Sequence, residues 1–217
     1  MAQETMALRG GNIENVFLAG IERTLRLRGT LVQRVLCAVM MAVLSFARLP
    51  GGGYCCQGAM FAVLLRQGFC VPAGFAGVML GFAAQYAAGE LAGCWQLPVC
   101  TLLWLSTGLW AKPANRLTMA AAVFLMQLTA AAVTGVSNWY EIIVVSLTAA
   151  AGAGLSVLYD GAALTVSRRD ELDGETRPIC VMAVCASLAA GVAPLPGGQI
   201  LASAMALYLT LEHAYVG

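Results

Sequence analysis

The chain has 217 residues, 60% hydrophobic and 11% charged, with a net charge of +1 at pH 7. Soluble domains carry about a quarter charged residues, so an ordinary soluble globular domain is excluded, and near-neutrality leaves no electrostatic footprint for nucleic acid. A mean hydropathy of +0.79, with apolar residues gathered in long blocks, makes the bilayer the expected solvent.

Residues 1–34 are the only long polar stretch, and the first apolar run starts too late for a cleavable signal peptide. Within this leader Ile13, Val16, Phe17, Ile21 and Leu25 recur at helical spacing, while Glu14, Glu22, Arg23 and Arg26 fall largely on other faces. That pattern predicts an amphipathic helix. It either lies on the membrane, where Arg28 and Arg34 favour anionic lipid, or packs as a solvated helix on its own protein. Eight apolar blocks follow, at 35–47, 54–65, 69–88, 91–110, 117–136, 140–159, 179–195 and 199–216. Four of these approach the ~20 residues that ~30 Å of hydrocarbon demands. The first two are short, and the Pro50-Gly51-Gly52-Gly53 turn between them allows two tilted spans or one re-entrant hairpin.

The expected fold is therefore all-α: a polytopic integral membrane helical bundle of six to eight true spans with a cytoplasmic N-terminus. It divides into the leader (1–34), a first helix group (35–166), a charged cytoplasmic loop (167–178) and a final helix pair (179–217). In this orientation eleven of the twelve basic residues fall inside and Arg48 alone outside, the bias expected of a bacterial inner-membrane protein. Trp139 and Tyr140 stand where an aromatic belt would on one side, Trp110 on the other. Pro178 opens the helix after the charged loop, where its missing N–H costs nothing.

A charge at mid-bilayer costs at least ~2.5–3.5 kcal/mol. Arg48, Arg66, Glu90, Lys112, Glu141 and Asp160 all sit at block ends, where snorkelling or interfacial water relieves that cost. Glu212 and His213 lie within the last block and read as an interfacial or interhelical polar contact, because a proton relay needs further partners along a path. Arg48 precedes the triple glycine, where it either joins backbone N–H groups in holding an anion or caps a helix C-terminus. Gly77 and Gly81 have the spacing that lets two helices approach closely in lipid. The eight cysteines lie in or beside apolar blocks without Cys-x-x-Cys spacing and read as small packing residues. His213 is the only histidine, and no nucleophile elbow, phosphate loop or paired catalytic carboxylates occur, so no enzyme, metal or cofactor is expected.

The order of features also resembles a known family. A basic amphipathic leader, a short span ending in Arg48, a glycine turn, Gly58-Ala59 entering a second short span, and Tyr140-Glu141-Ile142 occur in sequence. Together with Ile179 to Leu195, Ile200-Leu201, Tyr208 and Ala214-Tyr215-Val216-Gly217, they are similar to the membrane region of stage II sporulation protein E, a septal phosphatase of endospore-forming bacteria. The resemblance covers about residues 30–217. It implies an anchor that self-associates at the division septum, with cell-division proteins as partners, in a family whose members continue into further spans and a manganese-dependent serine/threonine phosphatase domain. That domain has no counterpart in this chain, so the resemblance implies a truncated relative with no catalytic residues to carry over. Thr176-Arg177 stands where the family tends to show paired acids, and Leu207 replaces an Arg. The rival expectation is a small transporter subunit, such as the substrate-binding component of an energy-coupling-factor transporter.

Overall fold

The computed structural model describes residues 30–49, 53–107, 115–134, 138–166 and 176–216. The expected leader helix, residues 50–52 of the glycine turn, Trp110, Lys112 and the loop over 167–175 lie outside the described residues, as do the side chains of Glu212 and His213. The described chain folds into nine helices with no strand among them: α1 (Leu31–Leu44), α2 (Cys56–Gln67), α3 (Val71–Ala87), α4 (Leu91–Cys94), α5 (Gln96–Thr107), α6 (Arg116–Thr134), α7 (Trp139–Val166), α8 (Thr176–Val192) and α9 (Gly198–Val216).

Local chemistry sets the helix ends. Thr30 and Gln33 form a reciprocal capping box at the start of α1, satisfying two N–H groups that an N-terminus otherwise leaves bare. Gly68 closes α2 in the left-handed conformation at φ 61°, the geometry a residue without Cβ adopts without strain. Within the apolar block 91–110, Pro98 has no N–H to offer the carbonyl of Cys94. The helix accordingly breaks at Trp95, between α4 and α5.

This break divides the expected 91–110 span into two shorter helices. Among the described residues only Trp139–Leu164, 26 residues, is long and apolar enough by length and composition to cross a membrane. α7 also runs on through Asp160 to Val166, past the end that the hydropathy pattern predicts.

Helix α2 occupies the centre. Every residue from Cys56 to Leu65 is buried, and the helix packs against α1, α3, α5, α6 and α7. Around it α1, α3, α5, α6, α7 and α8 touch in that order and close into a ring, because α8 returns to α1; α9 packs on α8. Phe61 of α2 meets Phe75 of α3 and Trp104 of α5, with ring centroids 5.9 and 6.2 Å apart, within the range of favourable tilted and edge-on pairs. The approach of α3 to α1 is backbone-close. A Cβ on Gly77 would collide with the Ala38 carbonyl oxygen and stand 2.8 Å from Met41 Cβ, and one on Gly81 would stand 2.6 Å from Ser45 Oγ. The two glycines expected to mediate packing thus face the same neighbour, α1.

Candidate functional site

Two helix ends lie inside the bundle, and an end inside protein carries N–H and C=O groups that its own helix cannot satisfy. Glutamines from three other helices and α2 itself supply the partners. Gln57 Nε2 donates to the Met41 carbonyl in the last turn of α1 at 3.0 Å. Gln85 Nε2, from α3, donates to the Ser45 carbonyl just beyond it. At the start of α2, Gln96 Oε1 accepts from the Gly58 N–H at 3.1 Å while its Nε2 donates to the Tyr54 carbonyl at 2.6 Å. Gln127 of α6 completes the group through reciprocal amide bonds with Gln96 at 3.3 and 3.4 Å.

All four glutamines are buried. A neutral amide offers both donor and acceptor, so the helix ends are capped without burying a charge, which would cost far more than an amide. One atom is left over, since Gln85 Oε1 is buried with no hydrogen-bond partner. Its carboxamide fills the space beside Gly93, where a Cβ would stand 2.6 Å from that oxygen.

A second cluster is ionic. The Asp160 side chain is 0% exposed, yet it meets Arg66 of α2 through Oδ1 and Arg116 of α6 through Oδ2, the latter at 2.9 Å. Gln67 Nε2 adds a donor to Oδ1 at 3.3 Å. The expectation that interfacial water relieves Asp160 is therefore corrected: two guanidiniums from helices distant in sequence do so, which is how a carboxylate persists in an apolar bundle.

A third cluster joins the connection after α1 to the turn before α4. Arg48 pairs with Glu90 at 2.5 Å and lies over the Tyr54 ring, 5.3 Å from its centroid. The Glu90 hydrogen bond holds the Arg48 guanidinium further toward its charged form. Arg48 thus meets a carboxylate and an aromatic face, while the glycine turn that an anion nest would use lies outside the described residues. Glu141 sits in the exposed first turn of α7.

Large apolar side chains also line the outside of the bundle. Leu31, Val35 and Leu36 on α1, Leu80 on α3, Leu105 on α5, Leu117 and Leu125 on α6, Ile143 and Leu147 on α7, Ile179 on α8, and Ile200 and Leu207 on α9 are all exposed. Soluble monomers rarely show contiguous apolar patches beyond a few hundred Å². None of the eight cysteines forms a disulfide, and six of them are buried. Sequence reasoning missed the glutamine cluster; the signal was present, in uncharged polar residues standing inside or beside apolar blocks. No family model, curated protein or solved structure matches the chain.

Proposed function

We propose that this chain is a membrane-embedded helical module that anchors and clusters a signalling protein at a bacterial division septum, as the resemblance to the membrane region of stage II sporulation protein E implies. The observation that carries the membrane part is the polarity of the bundle: large apolar side chains face outward on α1, α3, α5, α6, α7, α8 and α9, while Asp160 and four glutamines lie inside. Lipid accepts such a surface at no cost, whereas water does not. Support for an anchor comes from the interior polar groups, which largely satisfy one another and the helix ends. Expression of the tagged chain in sporulating cells tests both parts. Recovery in the membrane fraction with enrichment at the septum is the expected outcome; a soluble pool overturns the membrane reading, and uniform membrane label overturns the septal one.

A second reading, a small transporter subunit, is favoured by Gln85 Oε1, an interior acceptor without a donor. A ligand that supplies the donor stabilises the fold by ~2.7 kcal/mol at 100 times its Kd, so thermal unfolding of the solubilised chain across a vitamin panel discriminates. A flat response leaves the anchor ahead.

A further inference from the structure

One of the four interior amides is left half used. Gln85 is 1% exposed and gives Nε2 to the Ser45 carbonyl, while its Oε1 has no donor. An acceptor shut away from water without a partner is a lasting cost to the closed structure. Against it lies Gly93 of α4, where a Cβ would collide with the Gln85 carboxamide. Yet α4 is lightly held. It has four residues, of which Gly93 alone is buried, and Leu91 and Trp95 on either side of it are exposed. A helix this short does not persist on its own hydrogen bonds, and a glycine brings no side chain to pack. Gly89, at φ 76° with open space around it, turns the chain out of α3 at no steric cost. Between Gly89 and the break at Trp95 the segment is tied down through Glu90. Its N–H donates to the Gln85 carbonyl at 2.9 Å, and its carboxylate pairs with Arg48 and accepts from the Tyr54 hydroxyl at 3.5 Å. The Arg48 and Glu90 side chains are 48% and 42% exposed, so this tie is open to solvent.

We propose that residues 89–95 form a lid, hinged at Gly89 and latched by Arg48 and Glu90, over a seat at Gln85 for a small uncharged molecule carrying an N–H or O–H donor. Lifting the lid withdraws Gly93 and lets the entering molecule donate to Oε1, the hydrogen bond that the closed form lacks. A neutral ligand is assigned because the groups around the end of α1 are the Gln57 amide, the Ser45 hydroxyl and backbone carbonyls. Arg48 and Glu90 balance each other at the rim, so a charged ligand would be buried without a counter-ion. The seat rests on the transporter reading above; the lid stands apart from it.

The test uses the full chain in detergent with Gln85→Cys as reporter, treated with a neutral (hydroxyethyl), an anionic (sulfonatoethyl) or a cationic (trimethylammonioethyl) methanethiosulfonate. Modification at residue 85 is read by peptide mass spectrometry, and each rate is normalised to the same reagent's rate with a free thiol. The neutral reagent is expected to react at least about ten-fold faster than either charged one, because a charge must shed its water to enter. Adding Arg48→Gln or Glu90→Gln is expected to raise the rate about two- to five-fold, the worth of an exposed ion pair, and both together no further than either alone. A residue 85 that stays unmodified overturns the lid, and a rate indifferent to both latch variants overturns the latch. Equal normalised rates for the three reagents overturn the neutral seat. Charge-selective entry beside a flat vitamin panel overturns vitamins as the transported class and supports lid and seat. Should Gln85→Cys fail to fold, hydrogen exchange compares the unaltered chain with Arg48→Gln. The Glu90 and Gly93 amides are expected to exchange about two- to five-fold faster in the variant, with α1 and α3 unchanged; acceleration that spreads through α1 and α3 makes the pair a general staple and overturns the lid.

Discussion

Asp160→Asn is the perturbation with the most to say about how the bundle holds together. Asparagine matches the carboxylate in shape but cannot neutralise Arg66 and Arg116, which then face each other across a neutral amide. Removing one partner of a buried ion pair costs about 3–5 kcal/mol, because the remaining charge is left uncompensated. Here the arginines are 22% and 36% exposed and can turn part of their charge outward, so the expected loss is lower, roughly 2–4 kcal/mol. At 2–4 °C per kcal/mol for a chain of this size, that is a fall of roughly 4–16 °C in Tm. The assay is thermal unfolding in detergent followed by circular dichroism, with the triple variant Arg66→Met, Asp160→Leu, Arg116→Met measured beside it. The triple variant replaces the ions by apolar groups and is expected to recover to within about 1 kcal/mol of the parent, since a buried ion cluster is seldom better than good apolar packing. An Asp160→Asn protein as stable as its parent would refute the reasoning, because the carboxylate would then be contributing nothing that an amide does not.

Other variants separate the remaining features. Gly77→Leu is expected to cost at least 1–3 kcal/mol, the usual penalty of overpacking, since its Cβ meets the Ala38 carbonyl; accessibility of Cys37 to a thiol reagent in detergent, expected to rise, reports whether α1 and α3 have parted. Gln96→Leu strips partners from the Tyr54 carbonyl, the Gly58 N–H and the Gln127 amide, whereas Gln127→Leu removes only the last of these. The expected losses, ~1–3 kcal/mol for each buried group left bare, place Gln96→Leu clearly below Gln127→Leu in chemical denaturation, and equal losses would contradict the capping role. For the membrane topology, Asn138→Cys in a Cys-free background is expected to react with an impermeant reagent from outside and Leu172→Cys only from inside; the reverse pattern inverts the proposed orientation.

Hydropathy alone makes most of the helices legible. Asp160 shows where that legibility stops. A charged residue in a one-dimensional pattern reads as the end of a span, yet α7 continues because partners 94 and 44 positions away in sequence neutralise it. The glutamines escape notice for a different reason: an amide carries no charge to mark a span end or call for a counter-ion, and its value appears only once the end of α1 and the start of α2 are known to lie inside. Arg48 was recognisable as unusual, but its partner Glu90 stands in a different loop, and no spacing rule joins them.

The enclosure of α2 also bears on how the chain is made. At 12 residues and ~1.5 Å per residue, the helix is about 18 Å long, and none of the side chains from Cys56 to Leu65 has an outward face. Its cage is closed by α8 reaching α1, yet α8 is synthesised about 125 residues later, roughly 6–25 s at ribosomal rates of 5–20 residues per second. For that interval the most deeply buried segment of the finished protein is its most vulnerable one, with polar helix ends uncapped until Gln96 and Gln127 emerge. A chain built this way leaves α2 without its cage until the later helices have been made.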